Sequence, residues 1–161
     1  PPSDLLHSRH RNRGVDLTVF AAPMLVMRLN PLATWLQAQL THTQNAVTPC
    51  HDAIALPSFS AVLGADYDIK PVDGLTATAR VNHSGTQYAD LANTKKLDSY
   101  TTLDLGMRYR FAVNNNQNQM TVRAGIDNVT NENDWASVDD SGTYITQGEP
   151  RTFKVSVGYA F

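Results

Sequence analysis

Two groups of residues have the chemistry of a catalytic or metal site. His7 and His10 place two imidazoles three residues apart, but the segment around them is rich in arginine and favours solvated side chains. Cys50 stands beside His51 and Asp52, which supply a thiol, a base and an acid, yet sequential neighbours rarely have catalytic geometry. We therefore expect no metal site and no enzyme, and we expect Cys50 to be free or paired with a cysteine outside this chain.

Length and composition exclude several broad classes. The 161 residues allow one domain or a part of one. With 13 Lys and Arg against 15 Asp and Glu, the net charge of -2 gives no reason to expect nucleic-acid binding. Hydrophobic residues make up 42% and charged residues 17%, which excludes a disordered chain. The longest nearly continuous apolar run, 19–27, contains a proline and is too short for a membrane-spanning helix.

Apolar and polar residues alternate along most of the chain with the period of two that is typical of β-strands. In the clearest case, Phe153, Val155, Val157, Tyr159 and Phe161 share one face of the C-terminal segment. The pattern predicts about seven strands of roughly 8 to 12 residues. They cover residues 14–21, 25–41, 58–69, 75–84, 100–112, 119–129 and 151–161. Because proline cannot donate to a ladder, Pro31 predicts a bulge or an interrupted edge.

The links between these strands are alternately long and short. The long links are 42–57, 85–99 and 130–150, and the short ones are near 22–24, at 70–74 and at 113–118. Transmembrane β-barrels have this alternation because their strands run up and down, with tight turns on the periplasmic side and long loops outside. We therefore predict an all-β fold, a segment of an antiparallel transmembrane β-barrel. Residues 1–13 would end an extracellular loop, and residues 14–161 would form the barrel strands.

Two further observations bear on this interpretation. Seven strands cannot close a bacterial barrel, which has an even number, so we expect the chain to be a fragment. Aromatic residues of the apolar face fall at the strand ends, as the interfacial girdles of a barrel do. The predicted inner girdle contains Tyr67, Tyr109, Phe111, Tyr159 and Phe161, and the outer one contains Phe59 and Phe153. In the alternative, a soluble β-sandwich binding module, these aromatics would fill a core, but the opposite face carries Arg and Asp at mid-strand.

Several runs resemble the C-terminal barrel of TonB-dependent siderophore receptors. They are Arg13–Leu17, Ala33–Leu36, Ser84–Ala89, Leu97–Arg110, Val122–Asn131 with Trp135–Ser137, and Tyr144–Phe153. The resemblance spans nearly the whole chain in the family's order. It implies about the last seven strands of a 22-stranded barrel that is plugged by an N-terminal domain. Such a barrel imports ferric siderophores with energy from the inner-membrane TonB complex, and this fragment alone would not transport.

The resemblance also implies roles for particular residues. Ligand contacts would lie on the outer loops, at Tyr88, Trp135, Tyr144, Gln147 and Arg151. The alternation itself places a further set of charged residues on the polar face, towards the lumen, where they either pair with the plug or form a solvated wall: Arg80, Asp104, Arg108, Arg123, Asp127 and Lys154. The last strand, with Phe153, Val155, Val157, Tyr159 and Phe161, fits a signal for the assembly machinery, although lipid exposure alone explains its alternation.

The implied partners follow from these roles. They are a ferric siderophore, the plug domain with the remaining strands, the TonB complex, the outer-membrane assembly machinery and the lipid bilayer, with no nucleic acid. We expect no resident cofactor, because iron enters only as part of the substrate. The expected location is the outer membrane of a Gram-negative bacterium. A porin-like diffusion channel remains the alternative within the barrel class.

Overall fold

The computed structural model describes residues 9–42, 51–90, 92–114, 118–138 and 144–161, and these residues form antiparallel β-structure. The long strands are β1 (Arg9–Thr18), β3 (Met27–His42), β5 (Phe59–Asp68), β6 (Leu75–Ser84), β9 (Tyr100–Val113), β10 (Asn118–Asp127) and β13 (Thr152–Ala160). The short strands are β2 (Ala21–Met24), β4 (His51–Asp52), β7 (Gln87–Tyr88), β8 (Lys96–Leu97), β11 (Trp135–Val138) and β12 (Ile145–Gln147). Nowhere in these ranges is there a helix of the length and hydropathy needed to cross a membrane.

The long strands form one sheet in which each pairs with the next long strand along the chain. The order is β1-β3-β5-β6-β9-β10-β13, and every neighbouring pair is antiparallel. The β6–β9 ladder runs without a break from the Leu75–Tyr109 pair to the Ser84–Tyr100 pair. The prediction of seven meandering antiparallel strands is therefore confirmed, and the sheet of this fragment does not close into a ring.

The ends of the sheet differ as the link lengths predict. The short links between β5 and β6 and between β9 and β10 join strand ends at one end of the sheet, which we call the inner end. The links 43–58, 85–99 and 128–151 lie at the other end, which we call the outer end, and they carry the short strands β4, β7, β8, β11 and β12. At the inner end Gly74 has a φ of +82°, and a Cβ there would overlap the backbone oxygen of Arg110. Only glycine fits this tight link.

The two faces of the sheet have opposite character. On one face Phe153, Val155 and Val157 are 72%, 76% and 60% exposed. No second layer covers this row within the described ranges, so the β-sandwich alternative is wrong. The other face is concave, carries charged side chains and borders a space of about 930 Å³. The described apolar side chains that are buried, Ala38, Ala53, Ala89 and Val138, all lie near the outer end, so the sheet itself has no core of its own.

The structure differs from the predicted boundaries at the first strands. β1 begins at Arg9, so residues 9–13 pair with β3 where we expected the end of a loop. Pro31 does not bulge, because it faces Leu63 in an unbroken β3–β5 ladder. On its other side, pairing passes from β1 to β2, which gives the interrupted edge. The carbonyl of Pro31 still accepts a hydrogen bond from the N–H of Val19 at 3.0 Å.

Candidate functional site

All six residues predicted to face the lumen lie on the concave face. They are Arg80, Asp104, Arg108, Arg123, Asp127 and Lys154, and each lines the 930 Å³ space. The alternation of side chains in β6, β9, β10 and β13 brings them to one side of the sheet, because residues two apart share a face. Gly64, Gly106 and Gly125 line this space as well.

An ion pair links β10 to β13 towards the outer end of the concave face. The Lys154 Nζ lies 2.5 Å from the Asp127 Oδ2 and 3.7 Å from the Glu149 Oε2. The Cα partner of Lys154 is Gly125. Two of the predicted lumen residues, Lys154 and Asp127, are therefore paired with each other within this chain.

A second ionic network lies at the inner end of the concave face. The guanidinium of Arg28 makes two hydrogen bonds to the Asp68 carboxylate, at 2.7 and 2.9 Å, and lies 3.8 Å from Asp66. The hydroxyl of Thr76, which is 2% exposed, donates to the same carboxylate at 2.8 Å. This network ties β3, β5 and β6 together beside the short link 69–74. Sequence reasoning missed it, because the pairing depends on strand register.

Asp104 connects the concave face to the longest outer link. Its carboxylate accepts hydrogen bonds from the Asn82 side chain at 2.9 Å and from the backbone N–H of Asn128 at 2.9 Å. Arg80 is the Cα partner of Asp104 across the β6–β9 ladder. A carboxylate with two such donors is fixed in position. Asp104 therefore holds the start of the link 128–151 against the sheet.

Asn128 organises that link, although we assigned it no role from the sequence. It is 4% exposed and has a φ of +50°. Its side-chain NH₂ donates to the carbonyls of Glu132 and Glu149, at 2.8 and 3.0 Å, and its oxygen accepts from the N–H of Glu132 at 2.8 Å. Asn131 has a φ of +54° and accepts from the N–H of Arg151 at 3.1 Å. The run Asp127–Asn131 thus joins both ends of the link.

The five predicted ligand contacts all lie on the outer links. Trp135 in β11 and Gln147 in β12 are Cα partners, and both are exposed. Tyr144 precedes β12 and is 73% exposed, Arg151 lies exposed before β13, and Tyr88 is half-buried in β7. The structure brings Trp135 and Gln147 together and does not place all five in one pocket. A cavity of about 320 Å³ contains Tyr88 and none of the other four.

The residues around Tyr88 join the outer links to one another. The Asp52 N–H donates to the Asn93 side chain at 2.7 Å, and Asn93 donates back to the Asp52 carbonyl at 3.0 Å. The buried Gln87 donates to the Trp135 carbonyl at 3.3 Å. Asp52, Gln87 and Lys96 line the small cavity with Tyr88. Sequence reasoning missed Gln87 and Lys96 as lining residues, although Gln87 lies in the run Ser84–Ala89 that carries the family resemblance.

Two carboxyl groups of the outer links have shifted pKa values. Burial raises the pKa of Asp134, which is 9% exposed, and the charge of Glu132 raises it further. Asp134 also packs so closely on Gly148 that a Cβ there would overlap its carboxylate. A hydrogen bond from the Thr94 hydroxyl, joined by one from the Lys95 N–H, lowers the pKa of Asp90. Asp90 therefore stabilises its turn as a carboxylate.

The candidate metal and catalytic groups receive no structural support. The described ranges contain no group of three or more His, Cys, Asp or Glu side chains that could hold a metal ion. His7 and Cys50 lie outside those ranges, as does the side chain of His10. The expectation of no metal site therefore stays a prediction.

The convex face carries aromatic side chains at both ends. At the inner end Tyr109 stacks on Phe111 with ring centroids 5.1 Å apart, and Tyr159 lies 6.3 Å from Phe161. At the outer end Trp35, Phe59 and His83 form a row, with centroid distances of 5.2 and 5.8 Å. The predicted girdle residues thus lie on the face and at the ends where a girdle requires them, and Trp35 adds to the outer group.

An apolar convex face with aromatic ends, a charged concave face and links of alternating length together define a segment of a transmembrane β-barrel. The model of the family "TonB dependent receptor-like, beta-barrel" matches residues 8–129. The chain is 47% identical over 155 residues to the ferrichrome receptor FcuA of Yersinia enterocolitica, covering 96% of this chain and 20% of that protein. It is 31% identical over 104 residues to the ferrichrome outer membrane transporter/phage receptor of Escherichia coli K12, covering 63% of this chain and 14% of that protein.

A solved structure agrees with these relatives. The ferric preacinetobactin receptor BauA of Acinetobacter baumannii superposes with a TM-score of 0.85 at 35% identity, covering 96% of this chain and 23% of that one. The chain belongs to the TonB-dependent receptor β-barrel family. The chain spans about a fifth of the length of FcuA, although the match covers nearly all of the chain's own residues. Membership of this family disfavours the porin-like alternative.

Proposed function

We propose that this chain is the C-terminal barrel segment of a receptor for TonB-dependent uptake of ferric siderophores across the outer membrane of a Gram-negative bacterium. The observation that carries the proposal is the two-faced sheet. The apolar side chains of Phe153, Val155 and Val157 are exposed on one face, and the other face carries charged side chains beside a space of about 930 Å³. The function is transport and not catalysis. Iron passes through as cargo, and the segment needs the rest of the barrel to act.

Each part of the segment has a role in this proposal. The outer links supply ligand contacts through Tyr88, Trp135, Tyr144, Gln147 and Arg151. The concave face borders an N-terminal plug, and the plug side of the protein engages the TonB complex. β13, with its terminal aromatic row, is the strand that the outer-membrane assembly machinery binds. These roles are supported by family membership and by the positions of the residues at the outer end, on the concave face and at the C-terminus.

Ferrichrome is the ligand to test first. The 47%-identical relative and the E. coli relative are both named as ferrichrome proteins. BauA, at 35% identity, is a receptor for a different ferric siderophore. Trp135 and Gln147, paired across β11 and β12, offer an aromatic face and an amide to such a ligand.

Uptake in cells tests the proposal. The full-length receptor is expressed in a Gram-negative host that lacks its own ferrichrome receptors, and uptake of ferrichrome labelled with radioactive iron is measured with and without TonB. We expect saturable uptake that disappears without TonB. Uptake that persists without TonB and rises in proportion to ligand concentration would show a diffusion channel instead.

Variants of the paired residues test the ligand site. Trp135→Ala should weaken ferrichrome binding to the purified receptor, whereas Trp135→Phe keeps an aromatic ring and should retain most of it. Equal binding by both variants and the parent protein would remove Trp135 from the site. Heat-induced change in electrophoretic mobility confirms that each variant has a folded barrel.

A further inference from the structure

A groove interrupts the apolar convex face just below the aromatic row of the outer end. Leu17, Ala33, Ala61 and His83 stand side by side on β1, β3, β5 and β6, because each is the Cα partner of the next. The two middle residues are alanines, whose short side chains leave a depression between the longer ones. This depression, which we call the alanine groove, has a volume of about 300 Å³.

The shape and lining of the alanine groove suit a hydrocarbon chain. Ala33 and Ala61 lie on neighbouring strands, about 4.8 Å apart, which is close to the width of one extended acyl chain. Towards the inner end the groove is lined further by Val19, Pro31, Leu63 and Val81. The Nδ1 of His83 lies 2.9 Å from the hydroxyl of Thr101. A recess lined in this way offers water few hydrogen bonds and favours an apolar occupant.

Arginine side chains lie on the same face, nearer the outer end. Arg13 shares the convex face of β1 with Leu17, because residues an even number apart point to the same side of a strand. The four residues between them correspond to about 14 Å along the strand. Arg11 lies two residues further out, and both arginines are exposed. Within the described ranges no carboxylate forms an ion pair with Arg13, so its guanidinium is open to an anion.

The aromatic row fixes the height of both features. Trp35 is the Cα partner of Val15, which lies between Arg13 and Leu17 on β1. In membrane proteins such aromatic side chains lie at the boundary between headgroups and hydrocarbon, and long cationic side chains reach into the headgroup layer. The alanine groove therefore lies at the depth of acyl chains, and Arg13 at the depth of lipid phosphates.

The order of cation, aromatic row and apolar recess along one face matches an amphiphile with an anionic head. A guanidinium binds a phosphate group through two parallel hydrogen bonds. The acyl chain of the same molecule then passes Trp35 and enters the alanine groove. A free anion would use only Arg13, and a neutral hydrocarbon would use only the groove, so a lipid is the one ligand that uses both.

We propose that Arg13 and the alanine groove bind one lipid molecule of the outer leaflet, whose headgroup carries phosphate and a net negative charge. Its phosphate lies on the guanidinium of Arg13, and one acyl chain lies over Ala33 and Ala61. This inference rests on the proposed function, because it requires an outer-membrane barrel. The site lies on the outside of the sheet, on the face opposite the charged concave one.

Native mass spectrometry of the full-length receptor tests the site. The receptor is purified in detergent micelles and titrated with phosphatidylglycerol or phosphatidylcholine of identical acyl chains. We expect the first phosphatidylglycerol molecule to bind at least about fivefold more tightly than the first phosphatidylcholine, as one arginine near a membrane surface implies. Equal binding of the two lipids would overturn the proposal.

Two variants separate the headgroup from the acyl chain. Arg13→Gln should abolish the preference for phosphatidylglycerol, whereas Ala33→Leu/Ala61→Leu fills the groove and should remove tight binding of the first lipid. Ala77→Leu, on the same face outside the groove, and Lys95→Gln, an exposed residue of an outer link, are the matched controls and should bind as the parent does. Heat-induced change in electrophoretic mobility verifies folding. Unchanged binding in either folded variant would contradict the proposal.

Inorganic phosphate tests the contribution of the acyl chain, because it has the anionic group without the tail. It should not displace the first phosphatidylglycerol molecule, and displacement would contradict the role of the groove. None of these titrations needs a siderophore or TonB. A receptor that imports ferrichrome but lacks the lipid preference would keep the function and lose this site, and one with the preference but without import would do the reverse.

Discussion

Single residues in the outer links have large structural effects because they bond to backbone groups far away in sequence. Asn128 reaches Glu132 and Glu149, which are four and 21 residues away. It also adopts a left-handed conformation that asparagine tolerates better than most residues. Asp134 is buried in the same link and contacts Gly148. The conformation of residues 128–138 and 144–151 therefore depends on these two side chains.

Replacing Asn128 should loosen this link. In Asn128→Ala the carbonyls of Glu132 and Glu149 and the N–H of Glu132 lose their partners, at a cost of roughly 1 to 3 kcal/mol for each group that stays buried. Hydrogen exchange in the full-length receptor should show faster exchange of the Glu132 amide. Asn128→Gly relieves the left-handed backbone but removes the same bonds, so it should also exchange faster than the parent. Protection equal to the parent in both variants would contradict this role.

Asp134 should make the same link sensitive to pH. Because burial raises its pKa in the folded state, the folded link binds a proton more readily than the unfolded one. The link is therefore most stable below the ordinary carboxyl pKa, and it loses stability as the pH rises through the raised folded value. The penalty is complete once the pH is above that raised value.

Asp134→Asn should consequently increase protection of the link at neutral pH and flatten its pH dependence. Hydrogen exchange at Gly148, whose N–H bonds to the Asp134 carbonyl at 2.9 Å, reports on this region. Glu132→Gln is the matched control, because it removes a nearby exposed charge and should have the smaller effect. A steeper pH dependence in Asp134→Asn would show that the buried carboxylate is stabilising instead.

At the scale of the strand, β13 displays the two environments of the sheet most clearly. Val157 is 60% exposed on the convex face, and its neighbour Ser156 lines the concave space. Val122 and Arg123 of β10 lie opposite these two residues, so the division of apolar and polar side chains continues across the ladder. One step along the strand thus moves a side chain from the apolar face of the sheet to the charged one.

Substitution at these two neighbours tests that division. Val157→Arg in the full-length receptor should lower the free energy of unfolding by about 2 to 4 kcal/mol if the residue lies near the bilayer midplane. Ser156→Asn, which enlarges a polar side chain on the interior face, should cost far less. Unfolding in denaturant, followed by tryptophan fluorescence in lipid vesicles, provides the measurement. Equal effects at both positions would contradict lipid exposure of Val157.

At the scale of the whole molecule, the meander sends every short link to one end and every long one to the other. The family assignment and the proposed function make the end with long links extracellular. Asp73 on a short link and Asn133 on a long link are exposed, so both positions are suited to chemical labelling.

Labelling of intact cells tests this orientation. Asp73→Cys and Asn133→Cys are introduced separately into the full-length receptor in a Cys50→Ser background and treated with a membrane-impermeant thiol reagent. We expect labelling of the Asn133→Cys protein in intact cells, and labelling of the Asp73→Cys protein only after the outer membrane is permeabilised. The reverse pattern would invert the topology.

The sequence predicted what depends on local alternation. Seven strands of about ten residues carry enough period-two signal to be recognised, and the lumen residues follow from the same parity. β7, β8, β11 and β12 have only two to four residues, too few for such a pattern. The Lys154–Asp127 and Arg28–Asp68 pairs depend on the register between strands, which alternation within one strand does not fix. The role of Asn128 depends on a hydrogen bond across 21 residues.

β1 and β13, the outermost strands of the sheet, each have a single long neighbour. A polypeptide limited to these residues therefore has two edge strands, whose unpaired N–H and C=O groups can form hydrogen bonds with an extended segment of another chain. Unpaired strand edges of this kind promote aggregation. In a closed barrel these same two strands, β1 and β13, pair with neighbouring strands, so closure of the barrel removes the risk of aggregation.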